Sequence, residues 1–178
     1  VLEAPEAARD ARHEAVWKLL QSYQGAHEYE AAHGVVEQLL RDFPDHPRQL
    51  EARLELGVIL KEKGQYAQAI VHFEALLDEQ QLDANDASEA RFYVGESFQN
   101  MGEYRKAIEA YYKVSYHGAG GFSQWITSAD FQRAKCHESM GEYATAIAVY
   151  GRIVQREGGS TPQGEMAQEQ IVLLRRRL

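Results

Sequence analysis

The chain is expected to be all-α, an array of repeated helix–turn–helix units followed by a C-terminal helix. Three observations lead there. The tetrapeptide Met-Gly-Glu-Tyr occurs at Met101–Tyr104 and again at Met140–Tyr143. Weaker copies lie upstream, Gly64-Gln65-Tyr66 and His27-Glu28-Tyr29, so the tyrosines at 29, 66, 104 and 143 are separated by 37, 38 and 39 residues. Self-similarity at such a period marks a repeat array. On both sides of each copy apolar residues recur with helical spacing, and no alternating strand pattern competes.

The elements follow in order. Helices are predicted at about 5–24, 27–42, 47–63, 66–80, 86–101, 104–116, 123–140, 143–157 and 162–177. Upstream of each corner lies a first helix, carried by Leu54, Leu56 and Leu60 or by Phe92, Val94 and Phe98. The Gly of the corner ends it by supplying a left-handed cap. Downstream, a second helix places apolar residues three or four and seven positions after the Tyr. Ala stands three residues after every Tyr, at Ala32, Ala69, Ala107 and Ala146. A small residue at one fixed helical position lets the partner helix approach closely. Pro44 and Pro47 punctuate a stop and restart, with Pro47 expected at a first helical position. Asp86-Ala87-Ser88-Glu89 reads as a capping box. Ser123 and Thr161-Pro162 read as further helix starts. Gly118-Ala119-Gly120-Gly121 marks the loosest inter-repeat loop. In the last helix Met166, Ile171, Leu174 and Leu178 are expected on the buried side, as in a capping helix.

Composition narrows the function classes. Of 178 residues 44% are hydrophobic, and no run approaches the length of a membrane span. Nineteen basic against 27 acidic residues give a net charge of −8, which argues against nucleic acid, whose binding rests on neutralising phosphates. The basic run Arg175-Arg176-Arg177 suits the end of a helix dipole. Cys136 is the only cysteine, so neither an intrachain disulfide nor a multi-cysteine zinc site is possible. The chain begins at Val1, and it is read as an excised or processed fragment of a longer protein.

These units resemble tetratricopeptide repeats (TPRs), whose pattern is W-x2-L-G-x2-Y followed by Ala, Phe and Pro. Leu56-Gly57, Gly64, Tyr66, Ala69 and Phe73 match in the second unit. In the third, Gly95, Phe98, Gly102, Tyr104, Ala107 and Tyr111 match, and in the fourth Ala134, Gly141, Tyr143, Ala146 and Tyr150. The first is weakest, with Leu20 at the small position but Tyr23, Tyr29, Ala32 and Pro44 in place. Only the first keeps the terminal Pro, Arg133 occupies an expected apolar position, and the loops between units are long. The resemblance covers about residues 13–160. It implies a right-handed superhelical solenoid forming a single domain over 1–178, with four TPR-like repeats at about 13–46, 50–83, 88–121 and 127–160 and a capping helix at 162–177. The slightly stretched units and the final segment resemble the bacterial envelope branch, the Tol-Pal coordinator and outer-membrane assembly lipoproteins. That implies a periplasmic or outer-membrane-associated setting, with the cytoplasm the alternative.

The resemblance also implies a binding surface, since first helices line the concave face of such arrays. Carried over by register, it assigns Glu14, Trp17, Gln21 and Gln24 in the first unit and Glu51, Leu54, Val58, Lys61 and Glu62 in the second. The third contributes Glu89, Phe92, Glu96, Gln99 and Asn100, and the fourth Ser128, Phe131, Lys135 and Glu138. Six acids and two lysines surround a ladder of Trp17, Leu54, Phe92 and Phe131. Such a groove favours an apolar or basic protein or peptide segment, although the same ladder also fits as packing between repeats. Co-chaperones of this fold clamp a terminal carboxylate with Lys, Asn and Arg. Trp17, Gln21, Glu55 and Gln132 stand at the matching places, which excludes that function.

No catalytic chemistry is expected. There is no G-x-S-x-G, H-E-x-x-H or P-loop pattern, and His13, His27, His33, His46, His72, His117 and His137 lack ligand spacing. Cys136 and His137 read as packed core residues. No cofactor and no metal are expected. Two readings stay open: an adaptor that binds a peptide or protein in its groove, and a structural module that self-associates.

Overall fold

The computed structural model describes residues 4–79, 82–117 and 123–178. Among the described residues are α-helices and no strand: α1 (Ala4–Gly25), α2 (Tyr29–Asp42), α3 (Gln49–Glu62), α4 (Tyr66–Asp78), α5 (Ala84–Asn100), α6 (Tyr104–His117), α7 (Ser123–Ser139), α8 (Tyr143–Glu157) and α9 (Pro162–Arg175). The Gly118–Gly121 stretch expected to form the loosest loop lies outside the described residues. The chain divides into two compact units, Val1–His72 and Phe73–Leu178, with the boundary inside α4.

The corners are built as their glycines require. Gly64, Gly102 and Gly141 adopt φ of +75°, +76° and +74°. Just past each Gly, the backbone N–H of Gln65, Glu103 or Glu142 reaches back to the carbonyl of Leu60, Phe98 or His137, each at 2.9 Å. This is the six-to-one bond of a Schellman turn, and it satisfies a carbonyl that the helix end would otherwise leave unpaired. In the first corner His27 takes the left-handed position at φ +57°, and Glu28 N–H bonds Tyr23 O at 2.9 Å. The imidazole supports the exception, because His27 Nδ1 and the Tyr29 hydroxyl share a hydrogen bond at 2.7 Å.

In the first unit α1 packs on α2 and α2 on α3. Trp17, Leu20, Ala32, Val36, Leu39, Phe43, Ala52 and Ile59 form its core. In the second unit α5 to α9 pack consecutively, and α5 also meets α7. One core joins Phe92, Ala107, Tyr111, Val114, Ala129 and Cys136. Another joins Ala134, Ala146, Val149, Tyr150, Ile153, Ala167 and Leu174. The alanines after the tyrosines, Ala32, Ala69, Ala107 and Ala146, are all fully buried, as close helix approach demands.

Some local expectations are corrected. The cap of α5 is Asp83, whose carboxylate accepts from Asn85 N–H at 2.8 Å and Asp86 N–H at 2.9 Å. Asp86–Glu89 therefore lies inside the helix. Ser88, within that stretch, is buried and donates to Ala84 O at 2.7 Å. Pro47 precedes α3, whose cap is Arg48. At α9 the expected start holds: Thr161 Oγ1 accepts from Gly164 N–H at 3.1 Å, with Pro162 leading the helix. The buried side of α9 is nevertheless Gly164, Ala167, Leu174 and half-buried Ile171, while Met166 and Leu178 are exposed. Gly164 anchors that face, since a Cβ there would come within 1.9 Å of Gly158 O. Met166 sits one residue off the face, about 100° around the helix, and Leu178 lies beyond its end.

Gly95 shows how tight the packing is. A Cβ added there would lie 2.6 Å from the ring of Tyr111, which is fully buried and donates its hydroxyl to Gln99 Oε1 at 2.8 Å. The ring is packed against Phe92 and tied down through its hydroxyl. Gly95→Ala is expected to destabilise the protein by about 1–3 kcal/mol, the usual cost of overpacking. Urea titration would read this, and an unchanged midpoint would show that the ring can move.

Candidate interaction surface

The first helices of the repeats are α1 and α3 in one unit and α5 and α7 in the other. In the first unit Trp17 is 3% and Leu54 8% exposed, so both serve the interior. The indole is roofed by Arg48, whose guanidinium carbon lies 3.7 Å from the ring centre. Arg48 grips Glu51 with two bonds, at 2.7 and 3.0 Å, and approaches Glu14 at 3.5 Å. Hydrogen bonding to Glu51 raises the Arg48 pKa above the usual arginine range, against the opposing effect of burial. Glu62 pairs with Lys61 at 2.9 Å, and Gln24 donates to Glu55 at 2.6 Å. Gln21 is exposed and Val58 half-buried. Three of the assigned acids, Glu14, Glu51 and Glu62, are thus matched by local cations.

In the second unit Phe92 is 7% exposed. It packs between Trp125 and Tyr111, at centroid distances of 5.4 and 5.6 Å. Trp125 is held by an Nε1–H bond to Asn85 Oδ1 at 3.0 Å. Phe131 is half-buried, with its ring edge-on to Tyr150 at 5.5 Å. Glu138 accepts from the Tyr150 hydroxyl at 2.7 Å, and Gln99 reaches Gln132 at 3.4 Å. Burial comes first in raising the Tyr150 pKa, and the bond to Glu138 adds to it. Glu89 and Glu96 are half-buried, and Asn100 and Lys135 are exposed. The unit therefore brings Phe131, Lys135 and Glu138 to a surface on α7, whereas Phe92 belongs to the packing beneath α5.

Arg48 is the residue that sequence reasoning missed. Its signal was the three-residue spacing to Glu51, which on one helical turn permits a salt bridge. The single thiol behaves as read: Cys136 is fully buried, and desolvation pushes it up to about 11. No group of three or more His, Cys, Asp or Glu side chains capable of holding a metal occurs among the described residues.

The tetratricopeptide-repeat family profile matches residues 18–84 and 54–121, and a second profile of the same description matches 128–160. The chain belongs to the tetratricopeptide-repeat family. No curated protein matches it in sequence. Among solved structures it is similar to nearly identical TPR-like repeats from Podosopora anserina, at 17% identity and TM-score 0.73 over 92% of this chain and 85% of that one. It is also similar to MamA residues 41 to the end from Desulfovibrio magneticus RS-1, at 18% identity and TM-score 0.64 over 83% and 77% of the two chains. A Rap protein complexed with Competence and Sporulation Factor aligns at 17% identity and TM-score 0.66, covering 82% of this chain and 42% of that one. At these identities the likeness is one of fold.

The surroundings of Trp17 set a pH dependence. His13 is 3% exposed, and its ring stacks on His46 with centroids 3.4 Å apart. Burial, then the nearby His46 and Arg48, lower its pKa below the ordinary 6.5, with Glu14 and Asp10 opposing. A depressed folded pKa makes the native state bind fewer protons than the unfolded chain. The stability it contributes is present above pH 6.5 and is lost as pH falls through the folded value. Ring-proton NMR is expected to place the His13 midpoint below 6.5, and His13→Phe to flatten the fall in stability towards acid. A midpoint at or above the ordinary value would contradict this assignment.

Proposed function

We propose that the chain is a protein-interaction adaptor, a single domain of four repeats that binds a peptide or protein segment along its first helices. Tetratricopeptide-repeat proteins generally mediate protein–protein interaction, and the Rap relative is seen with a bound factor. The observation that carries the reading is the surface of α7, where half-buried Phe131 lies one turn from exposed Lys135 and close in register to Glu138. An aromatic with accessible area, flanked by polar groups, has the composition of an interface anchor. The partner is a segment with apolar character and basic groups, set by Phe131 and by the half-buried acids Glu89, Glu96 and Glu138. The stretched repeats and the trailing helix favour a role in bacterial cell-envelope assembly.

A second reading has its own support. Met166, Val172 and Leu173 on α9 are each more than half exposed, an apolar surface suited to docking a second copy. Sedimentation equilibrium of wild type and Met166→Glu/Leu173→Glu separates the readings. Self-association abolished by the double variant favours the structural module.

The adaptor reading is tested by binding to an array of short peptides graded in apolar and basic content. Phe131→Ala/Lys135→Glu removes a half-buried ring that packs on Tyr150, so a lowered melting temperature is expected, and binding is compared at a temperature where both proteins are folded. Binding to the best peptides should weaken by about tenfold or more, as truncation of a central aromatic anchor does. Undiminished binding by the folded variant would rule out the α7 surface.

A further inference from the structure

Arg133 is the residue of this chain that fits its repeat least. In the preceding repeat the same place, one residue before Gly95, is held by Val94, as Arg133 stands one before Ala134. Arg133 is 5% exposed. Its Nη2 bonds Asp130 at 2.9 Å, but its Nε is buried without a hydrogen-bond partner. Asp130 is shared, since its other oxygen accepts from Arg156 at 2.8 Å and Ser115 also donates to it. A buried guanidinium with one unmatched N–H is costly unless something completes its shell.

That guanidinium lines a cleft of about 470 Å³ between α6 and α8, floored by α7. Lys113 and Arg152 line the same cleft, against a single carboxylate, Glu109. His137, also on the wall, is engaged through Nδ1 with Glu142 at 2.7 Å. Lys113 and Arg152 are exposed, and neither has an ion pair among the described residues. Tyr112 and Val149 add apolar walls, with the Tyr112 ring 5.7 Å from Arg133. Excess positive charge is unexpected on a chain of net charge −8.

The neighbouring cleft provides an internal comparison. It lies between α4 and α6 over α5, has a volume of about 530 Å³, and repeats the same architecture one unit earlier. There Arg91, Lys106 and Lys113 face Glu74, Asp78 and Glu109, with Val94 on the floor. Lys113 and Glu109 line both clefts; of the remaining charges Arg91 and Lys106 are balanced by Glu74 and Asp78 here, while Arg133 and Arg152 have no such carboxylates in the later lining, so fold alone does not generate that imbalance.

We propose that the α6–α8 cleft is a second docking site, which takes an acidic peptide segment of a partner protein. A carboxylate is received by Arg133, Arg152 and Lys113, and an adjacent apolar side chain by Tyr112 and Val149. The occupant is a peptide because the cationic groups are set among apolar walls, a mixture that a bare inorganic anion would not use. A guanidinium that holds Asp130 through Nη2 while its Nε is unpartnered is suited to a further carboxylate. Burial, with Arg152 and Arg156 nearby, lowers the Arg133 pKa from the usual arginine range against the pull of Asp130, and a bound anion would relieve that unfavourable field. The site lies between second helices and over the face of α7 that bears Arg133 and His137, not the face that carries Phe131, Lys135 and Glu138.

The test is fluorescence polarisation with a labelled peptide of alternating Glu and Phe, beside the same peptide with Gln for Glu. Inorganic phosphate and phosphatidylserine vesicles serve as competitors. The acidic peptide is expected to bind at least tenfold more tightly than its Gln counterpart, with affinity falling as salt rises. Lys113→Glu/Arg152→Glu, both surface positions, should weaken binding tenfold or more. Lys106→Glu in the balanced cleft should leave it unchanged, and Arg133→Val, which restores the residue of the preceding repeat, should weaken it where the variant remains folded. Equal binding of the two peptides, equal loss in Lys106→Glu, or full displacement by phosphate or vesicles at concentrations comparable to the peptide would each overturn the proposal.

Discussion

Close approach of paired helices is the constraint from which the other features of this chain follow. Each second helix places a fully buried alanine, Ala32, Ala69, Ala107 or Ala146, one turn inside its start. A larger side chain there would hold the helices apart and open the core beyond. Helices that approach this closely need a sharp corner, and a corner of this kind needs a backbone of positive φ. Hence Gly64, Gly102 and Gly141 recur with almost the same dihedral. His27 can replace them because its ring bonds Tyr29, so a side-chain contact offsets part of the steric cost of the left-handed backbone. The repeated tetrapeptide is therefore a record of packing.

The same constraint governs what the large residues can do. Where helix backbones come close, aromatic rings fill the spaces left between successive turns. Tyr111 lies against Gly95, and Phe92 is enclosed by Tyr111, Tyr93 and Trp125. Trp17 is closed off by Arg48 on one face. An aromatic at a fixed repeat position thus has two possible roles, and burial decides between them residue by residue. Phe92 and Trp17 work as spacers in their own units, while Phe131 retains surface.

The elements were legible in the sequence because helical periodicity, the Gly corners and the small alanines all point the same way, and every boundary falls within two residues of expectation. What stayed hidden depended on geometry that periodicity does not encode. Asp83 and Asp86 are both plausible caps by composition, and only the emergence of the chain at Asp83 selects it. On α9, Met166 and Ile171 have similar hydrophobicity. Gly164 decides which face turns inward, since a side chain there would collide with Gly158 O, and Ala167 is fully buried on the same face. The contacts of Arg48 with Glu14 and Trp17 join residues more than thirty positions apart, and together with the bond to Glu51 they change an acidic patch into a largely neutral one. A list of charged residues carries no sign of this.

Arg133 shows the reverse case, in which departure from the pattern was visible and its consequence was not. Replacing an apolar residue by a buried cation seldom increases stability, because desolvating the charge costs about as much as its partners return. Here the partners are shared: Asp130 serves both Arg133 and Arg156, while Thr127 accepts from Arg156 and donates to Glu157. The hydrogen bond from Thr127, more than that from Arg156, lowers the Glu157 pKa below its ordinary value. Glu157 is thereby kept charged and the network holds together, yet one N–H of Arg133 remains unmet. Val94 demonstrates that the fold can do without a cation at this place, in the same unit and the same environment of helices. An unmet donor beside Arg152, which has no ion pair among the described residues, is therefore a specific feature of the later cleft, imposed on the repeat and not required by it.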